Sequence, residues 1–103
     1  MTRVFTVLEA EVPAERQHDL QVAYRSAADD TFPAGLVRST LLQSTDDRSR
    51  WRIETVWESR ESLQAMRGQG TPRGLLIFRA AGVEPSLTIL EVADELSPPV
   101  AES

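Results

Sequence analysis

The sequence predicts an α+β domain with an antiparallel sheet, its elements following in the order β-α-β-β-α-β. Two observations carry this. Apolar, β-branched and aromatic residues gather in four runs, at 4–12, 36–45, 50–59 and 86–96, each with strand composition. Between the first and second runs apolar residues fall at helical spacing instead, and between the third and fourth a cap and glycine and proline breaks mark two short helical pieces.

"VFTVLEAEV", Val4 to Val12, is rich in strand formers and carries charge only near its end. Pro13 suits the first turn of a helix, and Glu15 complements the dipole there. In "AERQHDLQVAYRSAADD", Leu20, Ala23, Tyr24 and Ala27 recur at i, i+3, i+4, i+7 and give the helix one buried face. "TFPAG", Thr31 to Gly35, ends it with proline and glycine. "LVRSTLLQST" and "RWRIETVWES" around "DDRS" make the clearest hairpin in the chain.

If Asp46 to Ser49 form the hairpin loop, Leu42 faces Ile53, Thr40 faces Thr55 and Arg38 faces Trp57. Alternation then puts Trp51, Ile53, Thr55 and Trp57 on one sheet face, and Arg52, Glu54 and Val56 on the other. Ser59 is placed to cap a short helix running to Arg67. "GQGTP" interrupts it, and "PRGLLIFRAAG" gives a second helical piece ending at Gly82. "SLTILEVADEL" is the last strand. Residues 1–96 read as a single domain and "SPPVAES", 97–103, as a flexible tail. This is the ferredoxin-like split βαβ arrangement.

Helices cover only one face of such a sheet. The other face lacks clean polar alternation: Val4, Leu8, Leu41, Val56, Leu90 and Val92 are assigned to it and are apolar. A second copy of the chain is the simplest cover, so a homodimer is expected, with Arg52 and Glu54 at its margin near Glu9 and Glu11.

Composition narrows the function. A net charge of -5 argues against nucleic acid as a partner. No cysteine is present, so disulfides and thiol nucleophiles are out. The N-terminal stretch does not read as a signal peptide, no run reaches membrane-spanning length, and a soluble cytoplasmic protein with no membrane partner is expected. All 11 basic residues are arginine, and lysine and asparagine are both missing. His18 is the one histidine, between Gln17 and Asp19 on the helix surface. One histidine with scattered carboxylates lacks metal-ligand spacing. "GQGTPRG" lacks the strand and helix that a phosphate loop needs. No metal and no cofactor are expected.

Several residues point to a pocket. Trp57 closes a strand just before a helix starts, and reads either as a pocket wall or as core filling. Arg38, on the register above, lies beside it and either holds a ligand phenolate or carboxylate or reaches to solvent. Tyr24 and Phe32 stand at the end of the first helix and the turn after it. Met66, Leu75, Leu76 and Phe78 form the opposite wall or the core. Arg73 and Arg79 fall on different helix faces and read as solvated.

A unit of this length and order, with "VWESRESLQAM" joining the third strand to the second helical stretch and "FPAG" after the first helix, resembles the antibiotic biosynthesis monooxygenase family of dimeric α+β barrels. The resemblance spans Val4 to Leu96. It implies a cofactor-independent oxidation of a small aromatic molecule of polyketide or quinol type, with Trp57 in the pocket. The chain departs from the family pattern in two places. Met66 stands where many members carry histidine, and Ile53 where polyketide oxygenases carry asparagine. The haem-degrading branch uses an asparagine, a tryptophan and a histidine together, and only Trp57 of that set is present. The alternative is a non-catalytic dimer of the same fold that binds a small ligand or serves assembly. No catalytic residue is assigned; the substrate-binding candidates are Trp57, Arg38, Tyr24, Phe32, Met66 and Phe78.

Overall fold

Four strands, β1 (Val4–Glu11), β2 (Leu36–Gln43), β3 (Arg50–Trp57) and β4 (Ser86–Glu91), form one antiparallel sheet in the order β2-β3-β1-β4. The computed structural model describes residues 2–99, so the last four residues of the expected tail lie outside the described part. Helix α1 (Gln17–Ser26) follows β1 through a short turn begun at Pro13, and α2 (Arg60–Arg67) and α3 (Arg73–Ala80) link β3 to β4. The order of elements is the ferredoxin-like one. Among the described residues, no helix is long and apolar enough to cross a membrane.

All three helices lie on one face. Leu8, Ala10 and Val12 from β1 and its end, Trp51 and Ile53 from β3, Leu20 from α1, and Ile77 and Phe78 from α3 bury one another there. Val4, Trp57 and Leu63 make a smaller cluster at the other end of the same face. Ser59 caps α2 as its position suggests, its Oγ accepting the Ser62 N–H at 3.2 Å.

The hairpin register differs by one residue from the expected one. Arg38 lies opposite Val56, Thr40 opposite Glu54 and Leu41 opposite Ile53, so Arg38 and Trp57 are not cross-strand neighbours. The cause is the turn. Ser44 Oγ accepts the Asp46 and Asp47 N–H groups, and Asp47 Oδ1 accepts the Ser49 N–H and O–H. These bonds draw Thr45 into the loop, so that Ser44 donates its N–H to Arg50 O across the neck. A slip of one residue turns every side chain of β2 to the other face. A bulge between Leu36 and Arg38 then restores Leu36 to the Trp57 side. The Ser49 hydrogen bonds also hold the Asp47 carboxyl below the usual carboxylate range.

The uncovered face is also corrected. Val4, Leu8 and Leu41 lie under the helices, because they sit in register with Trp57 and Ile53. The outer face instead carries Phe5, Val7, Leu42, Val56 and Leu90, while Val92 lies just past β4, its N–H donating to Arg3 O. Arg52 pairs on this face with Glu54 at 3.1 Å and Glu9 at 3.6 Å, and Arg50 with Glu9 and Glu11 at 3.5 and 3.4 Å. These pairs form within one chain. Hydrogen bonding to Glu54 pushes the Arg52 guanidinium further toward its charged form. Such exposed pairs add little stability.

Gly35 fixes the entry to β2. Its φ is +85°, its O accepts the Glu58 N–H at 2.8 Å, and a Cβ there would lie 2.2 Å from Ser62 Oγ. Gly35→Ala is therefore expected to cost about 2–4 kcal/mol, combining the left-handed backbone penalty with overpacking. Urea unfolding measures it; a midpoint equal to wild type would show that this turn is free to rearrange.

Candidate functional site: a cavity between sheet and helices

Between the helix-side sheet face and the segment from α2 to α3 lies a cavity of about 820 Å³. That is ample for a small organic molecule. Its floor is buried: Leu8, Ile53, Thr55 and Trp57 from the sheet, with Leu63 and Ile77 from the helices. Its rim is exposed and comes from the turn after α1, the start of β2, the α2–α3 linker and β4, including Phe32, Arg38, Arg67 and Leu87.

Trp57 borders this space while packing on Val4 and Leu63, and its N–H is already used. It donates to Thr6 Oγ1 at 3.2 Å, which fixes the indole and leaves no free donor. Across the floor runs a row of hydroxyl residues: Ser39 opposite Thr55, and Thr55 opposite Thr6. Tyr24 reaches the end of this row from α1, its hydroxyl 3.0 Å from Ser39 Oγ. The pair is half-buried and shares one hydrogen between two oxygens, so one hydroxyl hydrogen remains to be donated elsewhere.

Five of the six candidate residues meet at the cavity: Trp57 and Tyr24 at its floor and side, Phe32, Met66 and Arg38 nearer its edge. Phe78 does not. It is fully buried in the core with Leu20 and Val12, and its neighbours Leu75, Leu76 and Ile77 form that wall instead. The reason is helical phase, which turns Phe78 down onto the sheet. Arg38 borders the rim at the β2 bulge, yet its register partner Val56 belongs to the outer face, so it does not stand over the Trp57 ring. His18 is exposed and is not among the lining residues. Arg79 pairs with Glu84, whereas Arg73, expected to be solvated, donates to Thr31 O at 2.6 Å and ties the α2–α3 segment to the turn after α1.

Thr6, Ser39, Thr55 and Arg67 were not singled out as site residues from sequence, and Arg73 was read only as solvated. The hydroxyl row has a signal only once the register is right, because the expected pairing sets Thr40 opposite Thr55. The lining contains no histidine, aspartate or glutamate. Among the described residues, no three histidine, cysteine or acidic side chains are grouped to hold a metal ion.

Fold and cavity together define a class: a ferredoxin-like α+β domain whose helix-covered face keeps an apolar pocket floored by a tryptophan and hydroxyls. The chain belongs to the antibiotic biosynthesis monooxygenase family, whose model matches residues 3–71. Solved structures with the same fold include Rv0793 from Mycobacterium tuberculosis, 19% identical with a TM-score of 0.70 over 92% of this chain and 99% of that one. A conserved protein from Methanosarcina mazei is 18% identical with a TM-score of 0.69, over 87% and 92% of the two chains. A variant of SnoaB, a cofactor-independent oxygenase from Streptomyces nogalater, is 21% identical with a TM-score of 0.63, over 95% and 98%. A comparison with curated protein sequences finds no match.

Proposed function

We propose that this chain binds a planar, electron-rich aromatic molecule in the cavity and supports its oxygenation by dioxygen without a cofactor. The observation that carries this is a pocket of small-molecule size whose lining holds both the fixed Trp57 and the Tyr24–Ser39 hydroxyl pair. Family membership and the likeness in fold to a cofactor-independent oxygenase support it.

The chemistry asks little of the protein. An activated ring CH2 conjugated through the ring system to a carbonyl, as in an anthrone, loses a proton to give an enolate-type oxyanion, which passes one electron to dioxygen. The substrate radical and superoxide recombine to a peroxide, a proton is taken up, and loss of water leaves a new carbonyl. One dioxygen supplies one oxygen to the product and one to water. Trp57 holds the ring flat, and the free hydroxyl hydrogen of the Tyr24–Ser39 pair donates to the enolate oxygen. The buried floor of Leu8, Ile53 and Leu63 keeps that end of the pocket apolar, which strengthens the donation. With no carboxylate or imidazole in the lining, the proton leaves to solvent, so turnover is expected to rise with pH until the substrate is fully ionised. A pH–rate profile that instead follows a protein group near neutrality would contradict this.

That same lack of a base favours a second reading, a non-catalytic dimer that binds a small aromatic ligand. Oxygen uptake with an anthrone and a quinol separates the two. The oxygenase reading expects uptake of one dioxygen per ligand, faster than autoxidation in buffer, and a loss of roughly 100- to 1000-fold when Tyr24→Phe and Ser39→Ala are combined, since either hydroxyl left alone can still donate. Saturable binding with no uptake above the buffer rate supports the second reading. In either case we propose a two-fold dimer through the outer sheet face, where Phe5, Val7 and Leu90 lie together.

A further inference from the structure

We propose that the ligand of this cavity carries a carboxylate, held at the rim by Arg67 and Arg73 while the aromatic body lies on Trp57. The proposal rests on the reading of the cavity as an aromatic-binding site and adds the class of molecule it takes. Its basis is the distribution of charge. The chain carries a net charge of -5, yet the cavity lining contains three arginines, Arg38, Arg67 and Arg73, and no acidic residue. Of the acids adjacent in sequence to the lining, Asp29 and Glu58 are exposed, and Glu9 and Glu54 pair with Arg52 on the outer sheet face; none lines the cavity.

Among the described residues, pairing separates these arginines from five others but not from Arg3, Arg25 and Arg48, which lie away from the cavity; what marks the three is an unpaired charge in the lining itself. Arg16, Arg50, Arg52, Arg60 and Arg79 each lie against a carboxylate of the chain, as is usual in an acidic protein. Among the described residues none of the three rim arginines does. Arg73 spends one N–H on Thr31 O, which fixes the guanidinium between the α2–α3 segment and the turn after α1 and leaves its other donors unassigned. Arg67 stands at the end of α2, one position beyond Met66, with both residues in the lining. Arg67 and Arg73 end α2 and begin α3 and both border the apolar pocket, and a planar carboxylate accepts two parallel N–H groups from one arginine. The two arginines also concentrate anions at the entrance of an otherwise repelling surface. A carboxylate held at the rim leaves the opposite end of a fused-ring ligand over the hydroxyl row.

The test uses ligands that cannot be oxidised, so that binding is read apart from turnover. Anthraquinone-2-carboxylate and its methyl ester are titrated into the full chain, followed by calorimetry and by quenching of tryptophan fluorescence. The acid is expected to bind roughly 10- to 100-fold more tightly than the ester, the range of a charge-assisted hydrogen bond. Raising the salt should weaken the acid and leave the ester unchanged. Arg67→Gln should remove most of the preference without altering ester affinity or thermal stability. Arg73→Gln also breaks the tie to Thr31, so it counts only if its ester affinity stays at wild type. Equal affinity for acid and ester, or an acid preference that survives both substitutions, overturns the carboxylate proposal alone. Failure of both ligands to bind overturns it together with the aromatic-site reading. Tight acid binding with no oxygen uptake by any anthrone removes the oxygenase reading and leaves this one standing.

Discussion

Trp57→Ala is expected to lower stability by about 3–5 kcal/mol, the usual cost of deleting a buried large aromatic side chain. Trp57 is 3% exposed and joins Val4 of β1 to Leu63 of α2, so its loss uncouples that helix from the sheet. The cost has a second part, since Thr6 Oγ1 loses the indole donor at 3.2 Å. Trp57→Phe separates the two. It keeps most of the apolar ring and removes only the N–H, so about 1 kcal/mol should be lost. Ligand binding should follow the same order, nearly kept in the phenylalanine variant and absent in the alanine one. Guanidinium unfolding with parallel ligand titration measures both. Wild-type stability in Trp57→Ala would show that this residue does not anchor α2.

Val56→Arg is expected to split the proposed dimer and lower the stability of what remains by several kcal/mol. Val56 sits in β3 between Phe5 and Arg38 on the outer face and is 4% exposed even in a single chain. A guanidinium there leaves a charge without a partner and places it directly across from Arg38, a like-charge pair that strands disfavour. Because this variant also weakens the monomer, Leu90→Glu is the cleaner partner. Leu90 is 51% exposed, so a single folded chain gains little from it and a dimer through this face gains much. Sedimentation should give a folded species near 11.5 kDa for Leu90→Glu and about twice that for wild type. A wild-type monomer at micromolar concentration would remove the dimer from this account.

The hairpin shows how far the sequence could be read. The composition of the strands, the Ser59 cap and the breaks at Gly35 and Gly82 all have local causes, and each is where the sequence places it. Phase along β1 was harder. "VFTVLEAE" has apolar residues on both faces, and only Glu9 and Glu11, which must reach water, mark Phe5 and Val7 as outward. On β2, Leu41 and Leu42 are adjacent, so the pattern fits either register equally well. The decision lay in the Ser44 and Asp47 side-chain bonds of the turn, which lengthen the loop by one residue. That slip moved Arg38 off the Trp57 face and brought Ser39 onto it. A one-residue error in a turn thus exchanged the polar group of the candidate site.

Soaking crystals of the chain with an anthrone under anaerobic conditions tests the central claim most directly. The anthrone ring should lie flat on Trp57 beneath Leu75 and Ile77, with its oxygen within hydrogen-bonding distance of the Tyr24–Ser39 pair. A cavity that stays empty at saturating anthrone, or a ligand bound only on the outer sheet face, would contradict the account.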